Sequence, residues 1–168
     1  MTSQSSLIGA AGQHYVLSQL LRHNWVAALA PEGVPNVDII VTDIEGSRQF
    51  AIQVKTRSGK GADKGWHMQA KHEKLTSKTL FYCFVDFGDE SPTTYIIPAT
   101  IVAKQIAMSH RIWLSKPGVK NQKHKDNPIR RLLPDYSKTL KGLSSEQIKQ
   151  LGGGWINQYR ENWELLRS

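Results

Sequence analysis

The chain has a single cysteine, Cys83, so it can close no internal disulfide, and the apolar run around it, LFYCFVDF, gives it the expected role of a small buried hydrophobe. No stretch approaches the roughly 18 uncharged apolar residues of a membrane-spanning helix. The opening MTSQSSLIGAAGQHYV carries no basic leader ahead of an apolar segment, so a cytoplasmic location is expected. His67, His72, His110 and His124 show none of the short spacings of structural zinc modules and are expected on the surface or in loops. Gly59 and Gly61 in RSGKGADKG lack the Gly-Lys-Ser/Thr ending of a phosphate loop, which argues against a nucleoside triphosphate site. There is no internal repeat and no low-complexity segment.

Acidic side chains are also scarce, 14 against 22 Lys and Arg, which leaves a formal charge of +8. That surplus is segregated. Residues 55 to 78 hold seven Lys and Arg against two Asp and Glu, residues 110 to 141 hold nine against two, and the rest of the chain holds six against ten. Two basic segments on an otherwise mildly acidic chain point to a polyanionic partner.

Apolar residues Tyr15, Val16, Leu17, Leu20 and Leu21 recur at helical spacing, predicting a first helix from Leu7 to about Arg22, with Ser5 or Ser6 as N-cap and Asn24 as stop. WVAALA, VDIIVTD and FAIQVKTR, separated by PEGVPN and by Glu45-Gly46-Ser47, read as a three-stranded meander. TLFYCFVDF, apolar on both alternating faces, is expected to be the central strand, followed by a strand at TTYIIP and a helix at ATIVAKQIAM. HRIWLS is expected as an edge strand and residues 115 to 142, with Pro117, Pro128 and Pro134, as an irregular loop. The tail reads as two short helices broken at Gly152, Gly153 and Gly154. The second would carry Trp155, Tyr159 and Trp163 on one face packed against the domain.

Strand alternation puts Phe50, Ile52 and Val54 on one face of FAIQVKTR and Gln53, Lys55 and Arg57 on the other, giving one core face and one polar face. Asp38 is the only charge in VPNVDIIV, and Gln13 shares the apolar face of the first helix. Burying such groups unsatisfied costs several kcal/mol, so three elements each deliver a polar side chain that needs a partner. A carboxylate on one strand, with an oxygen ligand and a lysine two residues apart on the next, suits phosphodiester hydrolysis assisted by a hard cation.

In that order and spacing, GAAGQHYVLSQLL with Gln13, PNVDIIV with Asp38 and FAIQVKTR with Gln53-Val54-Lys55, the chain resembles the PD-(D/E)XK nuclease superfamily over roughly residues 7 to 108. The resemblance implies an α/β fold, a restriction endonuclease-like mixed β-sheet flanked by helices. The nuclease-like core would span residues 1 to 110, and a basic loop with C-terminal helices over 111 to 168 would pack on the same domain. It also implies Asp38 as the central metal ligand, Gln53 at the position usually Asp or Glu, Lys55 as the motif lysine and Gln13 at the helix position that often carries Glu. Mg²⁺, or Mn²⁺ in its place, would be held by Asp38, Gln53 and the Val54 carbonyl. Glu32, Asp63 and Glu73 are spare carboxylates.

Double-stranded DNA is the expected partner, with Arg57, Lys60, Lys64, Lys116, Lys120, Lys123, Lys125, Arg130 and Arg131 as its contacts. Two readings follow: a Mg²⁺-dependent endonuclease, acting as a homodimer where both strands are cut, or a degenerate relative that binds nucleic acid without cleaving it.

Overall fold

The computed structural model describes residues 4–59 and 64–167. Helix α1 (Gln4–Arg22) already contains Ser5 and Ser6, so neither caps it. Its end is the one foreseen at Asn24, which takes φ 63° while Asn24 N–H bonds the Leu21 carbonyl and Trp25 N–H the Leu20 carbonyl. That bond pair is a Schellman ending, and it folds Trp25 back into the cluster that holds Val16 and Leu20.

Strands β1 (Val26–Leu29), β2 (Ile39–Thr42) and β3 (Gln49–Arg57) form the expected antiparallel meander. The chain then passes through β4 (Trp66–Gln69) and a 3₁₀ helix (Ala70–Lys74) before β5 (Leu80–Asp86) pairs parallel to β3 and β6 (Thr93–Pro98) antiparallel to β5. The five-stranded mixed sheet has the order β1-β2-β3-β5-β6, so the central strand is β3 rather than β5. β5 is nonetheless covered on both sides: Tyr82 and Phe84 enter one apolar cluster, Cys83 and Val85 the other.

The cluster with Cys83 and Val85 sits between the sheet and α1; the cluster with Tyr82 and Phe84 lies on the opposite, second face. That second face is where the structure departs most from the sequence reading. Gln53, Lys55 and Arg57 do not face open solvent, because β4 pairs antiparallel with β7 (Ile129–Leu132) to make a small second sheet laid over them. Trp66 anchors this layer, its indole N–H donating to the Val85 carbonyl at 3.0 Å and its ring 5.3 Å from that of Phe84. Residues 115 to 142 are therefore not wholly irregular. Residues 110 to 115 are not an edge strand either, since helix α2 runs Ala99–Ser115 and buries Val102, Ile106, Ser109 and Ile112.

The tail contains α3 (Ser145–Leu151), capped by Ser144, whose hydroxyl accepts from Gln147 N–H. The expected second helix is instead two 3₁₀ turns: Trp155 joins the cluster on the second face, and Trp163 joins the one beneath α1. Among the described residues no helix is long and apolar enough to cross a membrane.

Candidate active site

Asp38 stands one residue before β2, where the ladder between β2 and β3 breaks. Its N–H still donates to the Ile52 carbonyl, 2.9 Å, but the next N–H along β3, that of Val54, is taken by the Asp38 side chain, Oδ2, at 2.6 Å. A carboxylate has replaced a backbone carbonyl as the acceptor at the point where the strands part, which fixes its position from the backbone itself. The other oxygen, Oδ1, accepts from Gln13 Nε2 at 3.0 Å. Gln13 reaches it because α1 lies unusually close to β3: a Cβ on Gly12 would fall 1.9 Å from Thr56 Oγ1. The inward polar residue on α1 and the lone charge before β2 are thus direct partners.

Lys55 is half-buried on the second face of β3. Burial pushes its ammonium below the ordinary lysine value, the Asp38 charge opposes that shift and Lys71 adds to it. Gln53, two residues earlier, is only 7% exposed, and its side-chain oxygen is buried without a hydrogen-bond partner. Beside it in register stands Tyr82, whose hydroxyl is likewise buried and unpartnered, its pKa pushed up by burial. A buried acceptor left open costs about 1–3 kcal/mol unless a bond is supplied, so Gln53 and Tyr82 give this face unfilled hydrogen-bonding capacity.

The sequence reading missed His72. It lies in the 3₁₀ helix over this face, 3% exposed, edge-on to the Tyr82 ring at 6.2 Å, and not on the surface as its polar surroundings suggested. Its Nδ1 accepts Gln69 N–H at 3.0 Å, so in the neutral ring the proton resides on Nε2. Burial, then the charges of Lys55 and Lys71, lower its pKa from 6.5 to about 4.

Because the folded value lies below the unfolded one, the unfolded chain binds more protons between those values, and stability is lost as pH falls through that window. Melting temperature measured from pH 7 down to 4 should therefore fall more steeply for the wild type than for His72→Gln, which keeps an acceptor for Gln69 N–H but cannot charge. Parallel curves would remove His72 from this account.

The basic residues separate into two groups. Lys64, Lys120, Lys123 and Lys125 are exposed, and half-buried Lys116 donates to the Gly142 carbonyl at 3.0 Å. The expected nucleic-acid role of Arg130 is corrected: it is 7% exposed, its guanidinium paired with Glu73, 3.6 Å from Asp126 and bonded to the Ile129 carbonyl, which makes it an internal strut. Arg57 is similarly committed, paired with Asp86 and stacked 4.6 Å over the Trp66 ring. Arg131 is half-buried and donates to the Gly65 carbonyl at 3.1 Å. Lys60 and the spare carboxylate Asp63 fall outside the described residues. Glu73 is turned to Arg130, and Glu32 is exposed in the turn before β2.

Among the described residues no three His, Cys, Asp or Glu side chains cluster as a metal-binding group. The oxygen set near the break is one carboxylate and one amide: Asp38, each oxygen of which has accepted one hydrogen bond and keeps a lone pair, and Gln53 with its unfilled Oε1. Such a set fits a hard cation that retains most of its own water, as Mg²⁺ does.

No family model matches the sequence, and no curated protein matches it. Solved structures do. The chain is similar to the bacterial homing endonuclease I-Ssp6803I, with 16% identity, 99% of this chain and 92% of that one covered, and a TM-score of 0.53. It is also similar to Hjc, a Holliday junction resolvase from the archaeal hyperthermophile Archaeoglobus fulgidus, with 12% identity, coverage of 74% and 83%, and a TM-score of 0.46. The likeness to the first shows the fold, a mixed α/β architecture with a five-stranded sheet flanked by helices.

Proposed function

Proceeding from that fold, we propose that the chain is a Mg²⁺-dependent DNA endonuclease whose site is built from Asp38, Gln53 and Lys55. The observation that carries this reading is the Gln53 side-chain oxygen, buried without a partner two residues from Lys55 and next to the strand break at Asp38. A fold built only for stability would fill that position with an apolar residue; an unfilled acceptor beside a carboxylate is ligand capacity held in reserve.

Asp38 and Gln53 would hold the cation, which supplies charge neutralisation and a more acidic bound water. Asp38 is fixed in place by the Val54 N–H, and Gln13 steers its second oxygen. Lys55, held half-desolvated against Asp38, places positive charge where negative charge develops on the phosphoryl oxygens, or orients the attacking water. The exposed lysines of the segment 116 to 127 would meet DNA phosphates, so affinity should fall steeply with salt. Cutting both strands of a duplex would call for two copies of the chain.

A second reading rests on a different contact. The Gln13 amide donates to Asp38 Oδ1, doing for the carboxylate what a cation shared with a glutamate would otherwise do, and this favours a degenerate relative that binds DNA without cutting it. Supercoiled plasmid incubated with Mg²⁺ or Mn²⁺, beside an EDTA control, decides between the two when the wild type and Gln13→Glu are run together. Metal-dependent nicking by the wild type supports the endonuclease. Nicking by Gln13→Glu alone, with duplex binding in both, supports the degenerate binder. Duplex binding with no nicking by either protein would sink the cleavage chemistry altogether.

A further inference from the structure

On the second face, away from Asp38, a cleft of about 260 Å³ opens between α2, β7 and residues 133 to 140. Its floor is apolar, from Ile106, Leu133 and Leu140, and Ile129 stands at its mouth 61% exposed, an aliphatic side chain left uncovered. One wall is aromatic. Trp113 stacks with His110, ring centroids 5.3 Å apart, and with His124, 3.9 Å away. The second of these stacks fastens the basic segment 116 to 127 to the cleft's rim. Asp126 fastens it again, 2.8 Å from His110 Nε2 and 3.6 Å from the Arg130 guanidinium.

The one acidic residue of that segment is thus paired internally, and Lys120, Lys123 and Lys125 are left exposed on a segment fastened to the rim of the cleft. The cleft is also connected to the candidate active site: Arg130, on its wall, pairs with Glu73, whose neighbour His72 covers Tyr82 and the Gln53 face. An apolar slot too small for most drug-sized ligands, with a lysine-bearing segment fastened to its rim, is complementary to a molecule with a flat apolar ring and an anionic backbone.

We propose that this cleft receives a single nucleobase turned out of a DNA duplex, with the flanking phosphates on the lysines of the segment 116 to 127. The proposal rests on the reading above that the partner is duplex DNA. It implies recognition of DNA that already carries an unpaired base, because extrusion from a paired stack costs a few kcal/mol that a bulge has already lost.

Equilibrium binding in EDTA, with a fully paired duplex and the same duplex carrying one unpaired adenine, tests it. The wild type should bind the bulged duplex about tenfold more tightly, at the lower end of what one base packed against an aromatic wall contributes. Thr139 is exposed on the cleft wall, so Thr139→Trp should fill the slot and reduce that preference to about twofold or less while leaving affinity for the paired duplex unchanged. Ile129→Ser, at the exposed mouth, should weaken the preference without adding bulk and is the deciding variant if Thr139→Trp fails to fold. Equal affinity of the wild type for both duplexes overturns the inference alone, and so does a preference that survives in the folded variants. Absence of any duplex binding at low salt overturns the DNA-binding reading and this inference with it.

Discussion

Asp38→Asn is expected to lower metal-dependent cleavage by about 10³-fold while leaving both the fold and duplex affinity close to wild type. Asp38 Oδ2 accepts the Val54 N–H and Oδ1 accepts from Gln13. An asparagine oxygen can still accept from Val54, and its NH₂ can donate to a Gln13 amide turned over to present oxygen, so both partners remain satisfied. Only the charge goes. Asp38→Ala removes the charge and both acceptors, and the stranded N–H groups should cost about 1–3 kcal/mol in addition to activity.

Lys55→Met extends the comparison in the opposite direction. It removes an ammonium that burial has already pushed toward its neutral form, so it should raise the melting temperature while lowering cleavage comparably. Cleavage rates, thermal melts and duplex Kd for the three variants give the result. Cleavage retained by Asp38→Asn would show that the chemistry is elsewhere.

These residues were legible in the sequence because local periodicity delivers them. A two-residue repeat sorts Gln53 and Lys55 from Ile52 and Val54, and a helical repeat turns Gln13 inward with Val16 and Leu20, so their meeting follows once the meander forms. What was hidden depends on partners far along the chain. The four residues of β4 do alternate, Trp66 and Met68 in, His67 and Gln69 out, but a signal that short is lost in a polar, glycine-bearing stretch until β7 pairs with it.

Arg130 reads as a surface cation from its neighbours and becomes internal only because Glu73 reaches it from the 3₁₀ helix; His72 is buried by the same docking. The extension of α2 was legible in principle. Ile106, Ser109 and Ile112 continue one helical face, but the serine interrupts the apolar count. Trp155, Tyr159 and Trp163 mislead for a backbone reason. Glu161 takes φ 48°, and its N–H bonds the Thr94 carbonyl, so the chain turns there and the last tryptophan enters a different cluster.

The contact that brings Gln13 to Asp38 depends on a position with no side chain. Alanine is the better helix former by about 0.5–1 kcal/mol, so propensity alone predicts that replacing either glycine of α1 stabilises the protein. At Gly9 nothing lies within 4 Å of the added Cβ, and Gly9→Ala should deliver that gain. At Gly12 the same methyl would lie 1.9 Å from Thr56 Oγ1 and 2.9 Å from both Thr56 Cβ and Cγ2.

Rotating the Thr56 side chain moves Oγ1 and Cγ2 but not Cβ, which the strand backbone fixes, so α1 itself must lift from β3. Overpacking of this kind costs about 1–3 kcal/mol and outweighs the propensity gain. Gly12→Ala should therefore lower the melting temperature while Gly9→Ala raises it, by a few degrees in each case. The lifted helix also withdraws Gln13 from Asp38, so the Asp38 site should change in Gly12→Ala and not in Gly9→Ala. Thr56→Ala removes two of the three clashing atoms and should restore part of the lost stability in the Gly12→Ala background. Equal stabilisation by both alanines would mean that α1 does not lie against β3 as closely as the Gln13–Asp38 bond requires.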